Sequence, residues 1–318
     1  MRILVLGAGA IGGYFGGRLL EAGRGVTFLV RPRRAEILAA EGLPIDSPFG
    51  EVLLPSPPTL TAAQLAAAAS SGGDNAAFDV VILTCKSYDL KQSIADIAPA
   101  VGPRTLIIPM LNGMRHLQRL DEAFGKEHVL GGKCHISTRL DASGRIVHLS
   151  NVHDFVYGER FPEQAAAVDA IDGLFEGVKF GPNHSRQIIL EMWEKWFFLA
   201  TLAGINCLMR GSVGDIVNAG GGEVTARLME ECRSIATAAG YPPRDHVYED
   251  LSHRVLNPNS TLTASLMTDL EAGGPNEADQ ILYDLKSYRS ITNNDSLSLL
   301  DLACLHLQVA KVRKEQER

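Results

Sequence analysis

The stretch "MRILVLGAGAIGGYFGGRLL" constrains the fold of this chain more than any other. "RILVLGA" is a short run of leucine and β-branched residues, suited to a central parallel strand. It breaks at Gly7-Ala8-Gly9-Ala10-Ile11-Gly12, a GxGxxG spacing, and "IGGYFGGRLLEAG" then reads as a helix ending at Gly23. The first glycine permits a tight turn, the second lets a pyrophosphate approach the backbone, and the third lets helix and strand pack closely. The amides and positive dipole at the helix start complete an anion site. The motif alone is weak evidence, and a structural glycine turn is the bland alternative. Its place between a strand and a helix favours a dinucleotide-binding domain.

The same alternation continues. "GVTFLVR" reads as a strand, "RRAEILAAEG" as a helix, and "FDVVILTCK" and "RTLIIPMLNG" as further apolar strands. Strands alternating with helices predict a parallel, doubly wound sheet. "PSPPTLTAAQLAAAASSGGDNAAF" reads as a loop with one short helix, and "GRIVHLSNVHDFVYGER" as a strand pair that completes the sheet. Beyond Gly181-Pro182-Asn183, a turn signal, long helical periodicities take over, as in "SRQIILEMWEKWFFLATLAG", "GEVTARLMEECRSIATAAG" and "SLSLLDLACLHLQVAKVRKEQER". The expected organisation is α/β: residues 1–183 as a Rossmann-type domain and residues 184–318 as an all-helical domain. A length of 318 residues suits two such domains.

Charge and cysteine usage narrow the class. A formal net charge of −7 gives no general field for nucleic acid or anionic membrane. No stretch approaches the roughly 20 apolar residues of a membrane span, and the glycines after Leu6 interrupt any signal-peptide core. Five scattered cysteines without a CxxC pair read as reduced thiols, consistent with a cytoplasmic protein. No metal-ligand cluster is expected: His148 and His153 read as structural or surface groups, and Glu230, Glu231 and Cys232 lack a ligand pattern. The oligomeric state stays open, a homodimer included.

Which dinucleotide is bound turns on the end of the second strand. An NAD-binding domain usually places a carboxylate there for the ribose 2′-hydroxyl; this chain has Val30-Arg31-Pro32-Arg33-Arg34. A guanidinium fork suits a 2′-phosphate, so the cofactor expected is NADP(H), against the alternative of a solvated basic turn. Lys86 in "TCKSYDL" and Asn112 in "MLNGMRHL" stand at two later strand ends, where open α/β sheets bind ligands.

Together, "GAGAIGGYFGGRL", Arg31, "TCKSYDL", "NGM", "MWEKW" and "TASLMTDLEAGGPNEAD" resemble the ketopantoate reductase (2-dehydropantoate 2-reductase) family nearly end to end. The resemblance implies a Rossmann domain followed by a helical domain like the C-terminal domain of 6-phosphogluconate dehydrogenase. It also implies NADPH-dependent reduction of a small 2-keto acid, in pantothenate and coenzyme A synthesis. By position, Gly7 to Gly12 would hold the pyrophosphate, with Arg31 and Lys86 at the 2′-phosphate. Asn112 would lie at the nicotinamide and substrate, and Ile136 would offer its backbone to the cofactor. Lys195 would be the proton donor, Ser265 would bind substrate, and Glu277 would contact the nicotinamide ribose or the substrate.

That reading explains an odd local composition. In "EMWEKWFFLATLAG" a single lysine, Lys195, is set among tryptophans, phenylalanines and leucines. An ammonium at the ketone oxygen stabilises a developing alkoxide and then protonates it. The bland alternative is an i,i+4 pair with Glu191, worth about 0.2–0.5 kcal/mol. The chain also departs from the family pattern. Leu199 and Ala203 stand four and eight residues after Lys195, and Leu262 three before Ser265, where many members have asparagine. Asn206 lies nearby but on another part of the helix. These changes favour as an alternative a bulkier or more apolar keto acid. A separate alternative is a non-catalytic NADP(H)-sensing protein, against which Lys195 counts, since a sensor needs no proton donor. "DLKSYRSITNNDSL" lacks the glycine and proline usual in the corresponding loop.

Overall fold

The computed structural model describes residues 1–71, 77–289 and 298–316. Its contacts divide the chain into two units. One is Met1–Leu111 with His116–Ile188, the other Asn112–Arg115 with Ile189–Arg318.

The first unit opens with β1 (Arg2–Leu6), α1 (Ala10–Glu21), β2 (Gly25–Leu29), α2 (Pro32–Glu41), β3 (Leu43–Asp46), β4 (Val52–Leu54), β5 (Thr59–Leu60) and α3 (Ala62–Ser70). It continues with β6 (Val80–Leu83), α4 (Leu90–Ile97), β7 (Leu106–Pro109), α5 (Arg115–Phe124), β8 (Gly131–Leu140), β9 (Ile146–Gly158), α6 (Ala165–Ile171) and β10 (Gly181–His184). The order β5-β2-β1-β6-β7 forms one all-parallel sheet, the doubly wound core expected from the alternating pattern. Its inner strand β6 is apolar throughout because both faces are covered; Val80, Val81, Ile82 and Leu83 are all fully buried.

Two elements differ from expectation. Thr59–Leu60, expected in a loop, adds a short parallel strand beside β2. The β8–β9 pair does not complete the parallel sheet. It builds a second sheet, ordered β10-β9-β3-β4 with β8 antiparallel on β9. The reason lies in α1, whose residues Gly12–Leu19 are all buried. A Cβ on Gly16 would come within 2.6 Å of Phe28 and 3.1 Å of Val5, in the parallel sheet. One on Gly13 would lie 2.4 Å from Ile146, and one on Gly17 2.5 Å from Ile45, both in the second sheet. The "GGYFGG" run therefore lets one helix be clasped on two sides, and overfilling such a contact costs about 1–3 kcal/mol. β10 pairs with β9 over Gly181–His184, so the first unit runs through the turn at 181–183 to Ile188.

The second unit is helical: α7 (Ile188–Met209), α8 (Val213–Asn218), α9 (Gly222–Ala238), α10 (Asp245–Val255), α11 (Ser265–Glu271), α12 (Asp284–Ser287) and α13 (Leu299–Gln316). Glu231 on α9 accepts from the Leu299 and Leu300 amides (3.0 and 3.2 Å), a carboxylate cap on α13. Most of the atypical "DLKSYRSITNNDSL" segment, 290–297, lies outside the described residues. Among the described residues no helix is long and apolar enough to cross a membrane.

The two histidines of β9 prove structural. His148 Nε2 faces Val152 O at 3.0 Å and so carries the proton, leaving Nδ1 to accept from Ser47 Oγ at 2.9 Å. His153 Nδ1 meets Tyr14 Oη at 2.8 Å, and its ring stacks on Phe49. Burial, above all, holds both imidazoles below their ordinary range. His184 shifts the other way: Glu159 and Asp172 outweigh its burial and raise it. A lowered histidine contributes stability that is complete above pH 6.5 and is lost as pH falls toward the lowered value. Urea unfolding at pH 7.5 and 5.5 tests this: His153→Asn should lose less stability on acidification than the parent. An equal loss in both would remove His153 as a cause.

Candidate active site

At the C-terminal end of β1 the glycine turn is shaped by steric necessity. Gly7 has φ +90°, which L side chains rarely adopt, and its N–H donates to Leu29 O on β2 at 2.9 Å. A Cβ on Gly12 would lie 2.3 Å from Gly7 O and 2.4 Å from Thr84 Oγ1, so only glycine lets α1 begin there. A Cβ on Gly9 would meet nothing within 4 Å, which leaves the backbone open between these two contacts. β1 lies between β2 and β6, where the strand order reverses. A bare backbone beside the first amides of a helix, at that reversal, fits the pyrophosphate of a dinucleotide.

The neighbouring strand ends carry the cations. Arg31 is the N-cap of α2 beyond β2; its side chain is 86% exposed and meets Asp89 Oδ2 at 3.4 Å. Lys86 follows β6 and precedes the short 3₁₀ turn Ser87–Asp89, with its side chain exposed. Arg31 and Lys86 thus stand at the ends of the two strands that flank β1. Ile136 is placed differently: it lies on β8 opposite His153, beside a register shift between Ile136 and Thr138.

Sequence reasoning missed Arg34. From the first turn of α2, its Nε and Nη2 donate to Ala8 O at 3.2 and 3.1 Å, and Nη2 reaches Gly144 O at 3.3 Å. The guanidinium ties the glycine turn to the β8–β9 hairpin. The only signal was the basic run at 31–34, which does not say which arginine turns inward.

In the second unit Lys195 is half-buried on α7, on a face shared with the half-buried Glu191, Phe198 and Leu199. Its chain neighbours are fixed. Glu194 is buried and takes a fork from Arg244 (Nε at 2.7 Å, Nη2 at 2.6 Å). Trp196 is fully buried and donates through Nε1 to Ile281 O at 2.9 Å. Trp193 stacks on Tyr241, with ring centroids 5.4 Å apart. With both flanking residues held, the direction of Lys195 around the helix is set. An ammonium so placed can stabilise a developing oxyanion and give up a proton.

The other predicted residues of this unit divide. Asn112 is half-buried, and its carbonyl accepts from Gln280 Nε2. Glu277 is buried, and its carbonyl accepts from the Gln280 and Ile281 amides at 3.2 and 3.0 Å. Asn112, Glu277 and the helix of Lys195 are therefore joined through Glu277–Ile281. Ser265 is exposed at the start of α11. The residue before it, Ala264, donates its N–H to Asn206 Oδ1 near the end of α7 at 2.9 Å. Asn206 also donates to Gly211 O at 2.8 Å and is fully buried, so both ends of its amide are engaged by backbone. Ala203 is packed in the core, while Leu199 remains half-exposed one turn beyond Lys195.

Other reactive groups are occupied. Burial pushes the Cys207 and Cys232 thiols up to about 12 and Cys304 to about 11, which keeps them protonated. Among the described residues Asp169, Asp172 and His184 come together with metal-ligand spacing. His184 there bonds Glu159 at 2.8 Å and Asp172 at 3.0 Å, and Arg186 bridges Glu159 and Asp169, an ion-pair network.

Comparison with known proteins agrees with this layout. The family pattern of ketopantoate reductase PanE/ApbA matches residues 3–160, and that of the ketopantoate reductase PanE/ApbA C terminal matches residues 187–285. The uncharacterized oxidoreductase YkpB of Bacillus subtilis (strain 168) is 40% identical over 283 residues, 88% of this chain and 89% of that protein. The 2-dehydropantoate 2-reductase of Mesorhizobium japonicum (strain LMG 29417 / CECT 9101 / MAFF 303099) is 26% identical over 306 residues, covering 89% of each. The crystal structure of 2-dehydropantoate 2-reductase from Geobacter metallireducens GS-15 superposes with a TM-score of 0.84 at 23% identity, covering 98% of this chain and 100% of that one.

The Arg34 tie is open to a binding test. Arg34→Ala should weaken NADPH and NADH to the same degree, about two- to tenfold, as for one lost hydrogen bond. Titration of nucleotide fluorescence measures both, and a loss confined to NADPH would assign Arg34 to the 2′-phosphate instead of the turn.

Proposed function

The chain belongs to the ketopantoate reductase family and is an NAD(P)H-dependent oxidoreductase, and on that premise we propose that it reduces a 2-keto acid with NADPH, 2-dehydropantoate foremost. The product would then be pantoate, on the cytoplasmic route to pantothenate and coenzyme A. The observation that carries this reading is Lys195, half-buried on α7 between two anchored neighbours, Glu194 and Trp196.

In this mechanism residues 1–183 bind the cofactor, and residues 184–318 supply most of the substrate and proton-transfer groups. The backbone of Gly7, Ala8, Gly9, Ala10, Ile11 and Gly12 holds the pyrophosphate, and Arg31 and Lys86 take the 2′-phosphate. Ile136 adds a backbone contact to the cofactor, and Glu277 contacts the nicotinamide ribose or the substrate. When bound, NADPH supplies the hydride. Lys195 stabilises the negative charge that grows on the ketone oxygen and gives it a proton. Asn112 and Ser265 orient the acid by hydrogen bonding.

A second substrate reading has a specific observation behind it. Leu199 is half-exposed on the face of Lys195, beside Phe198, and Asn206 is fully engaged by backbone, so no amide on this stretch of α7 is left to bind hydroxyls. A site without such groups discriminates weakly for a polyhydroxylated acid. A bulkier or more apolar 2-keto acid is the alternative.

NADPH oxidation across a panel of keto acids separates the two. Turnover of 2-dehydropantoate above the rest supports the first reading, whereas background rates there with fast reduction of an apolar acid establish the second. In the same assay Lys195→Ala should lower kcat by about 10²–10⁴-fold and leave NADPH binding largely intact. Parental turnover in that variant would remove Lys195 from the mechanism. Arg31→Ala should weaken NADPH and barely change NADH; equal effects on both would mean that Arg31 does not read the 2′-phosphate.

A further inference from the structure

Residues Asp279–Tyr283 form a π-helical turn within the second unit. Such a turn carries an extra residue, which re-aims the side chains and carbonyls around it, and it recurs at functional sites. Here its groups point to two candidate site elements. The Ile281 carbonyl takes the indole proton of Trp196, next to Lys195 on α7, at 2.9 Å. The Gln280 side chain, buried at 6% exposure, turns to the Asn112–Gly113 turn and donates to the Asn112 carbonyl. Since a carbonyl only accepts, it is the Nε2 end of the amide that faces it.

The seating of that turn is close. Gly113 has φ +74°, and a Cβ there would come 2.8 Å from Gln280 O and 3.0 Å from Gln280 Cγ. Two residues on, Arg115 Nη1 donates to the buried Asp284 carboxylate at 2.6 Å. The Asn112 backbone is thus pinned from both sides. Holding the Asn112 carbonyl fixes the peptide plane next to its Cα, and with it the backbone from which the side chain departs.

We propose that Gln280 is a positioning residue: it fixes the Asn112 side chain relative to the helix of Lys195, through one π turn that grips both. This role rests on the reductase reading, in which Asn112 orients the acid. Gln280 itself meets backbone and acts on the reaction only through Asn112.

A double-mutant cycle on the full-length protein tests the role, using NADPH with 2-dehydropantoate or the panel acid reduced fastest. Gln280→Glu keeps the shape but sets a carboxylate against a carbonyl, and Gln280→Met keeps the length without the donor. Each should lower kcat, Gln280→Glu by about ten- to a hundredfold, the scale of a misplaced reacting group. The Asn112→Ala background supplies the reading that simple destabilisation would not move. There Gln280→Glu should change kcat by less than about twofold, because the side chain it positions is gone. The same fold-loss in both backgrounds would overturn the proposal, as would parental kcat in both Gln280 variants. If Lys195→Ala is impaired while the Gln280 variants are not, only the Gln280 role fails. If the parent reduces no keto acid, the reductase reading fails and takes this role with it.

Discussion

The first unit depends on how closely the backbone of α1 can be approached. Its start lies against the Gly7 carbonyl, where a Cβ on Gly12 would stand 2.3 Å away, and its middle is clasped by two sheets through Gly13, Gly16 and Gly17. Phe15 then packs against Phe155 on β9 and Phe180 just before β10, with ring centroids 5.1 Å apart in each case. A helix buried on so many sides cannot shift without repacking both sheets. Its N-terminal amides therefore stay where the strand order reverses, so the anion site proposed there needs no rearrangement to form. Arg34 adds a direct tie from α2 to the Ala8 carbonyl.

Around Lys195 rigidity is supplied by aromatic packing and by the half-buried Glu194–Arg244 ion pair. Glu194 is almost wholly buried and spends both carboxylate oxygens on Arg244. Arg244 keeps 38% of its side chain exposed, so the pair is screened from one side, yet without Arg244 the buried Glu194 carboxylate would lose its fork. Trp196 is held through its indole proton, and Trp193 through its stack on Tyr241. Lys195 lies between two of these fixed points. A long cationic side chain is thereby given a defined root, which an exposed i,i+4 pair with Glu191 alone would not provide.

The same packing bears on substrate choice. Leu199 and Ala203 both replace asparagines usual in the family, yet the fold treats them differently: Ala203 belongs to the core, while Leu199 keeps part of its surface. Asn206 is no substitute for either, because its amide joins the Gly211 carbonyl to the Ala264 amide just before Ser265. The polar inventory near Lys195 is poorer than the count of asparagines in "AGINCL" suggests.

Much of this was legible in the sequence, since periodicity and glycine spacing are local properties. The apolar strand runs signal the parallel sheet and GxGxxG the turn at β1. The aromatic setting of Lys195 singles it out only as a candidate, its proposed role resting on the family resemblance. What the sequence could not say is which distant groups share a contact. The β8–β9 pair reads as two strands in either sheet, and only the glycine-lined flank of α1 assigns it to the second. Arg31 and Arg34 are alike as letters, yet one is exposed and the other turns back onto Ala8. Gln280 carries no local signal, because its importance lies in a carbonyl 168 residues away. Local pattern fixes secondary structure through backbone sterics and the burial of one face. The meeting of side chains far apart in the chain is decided only when the whole core packs.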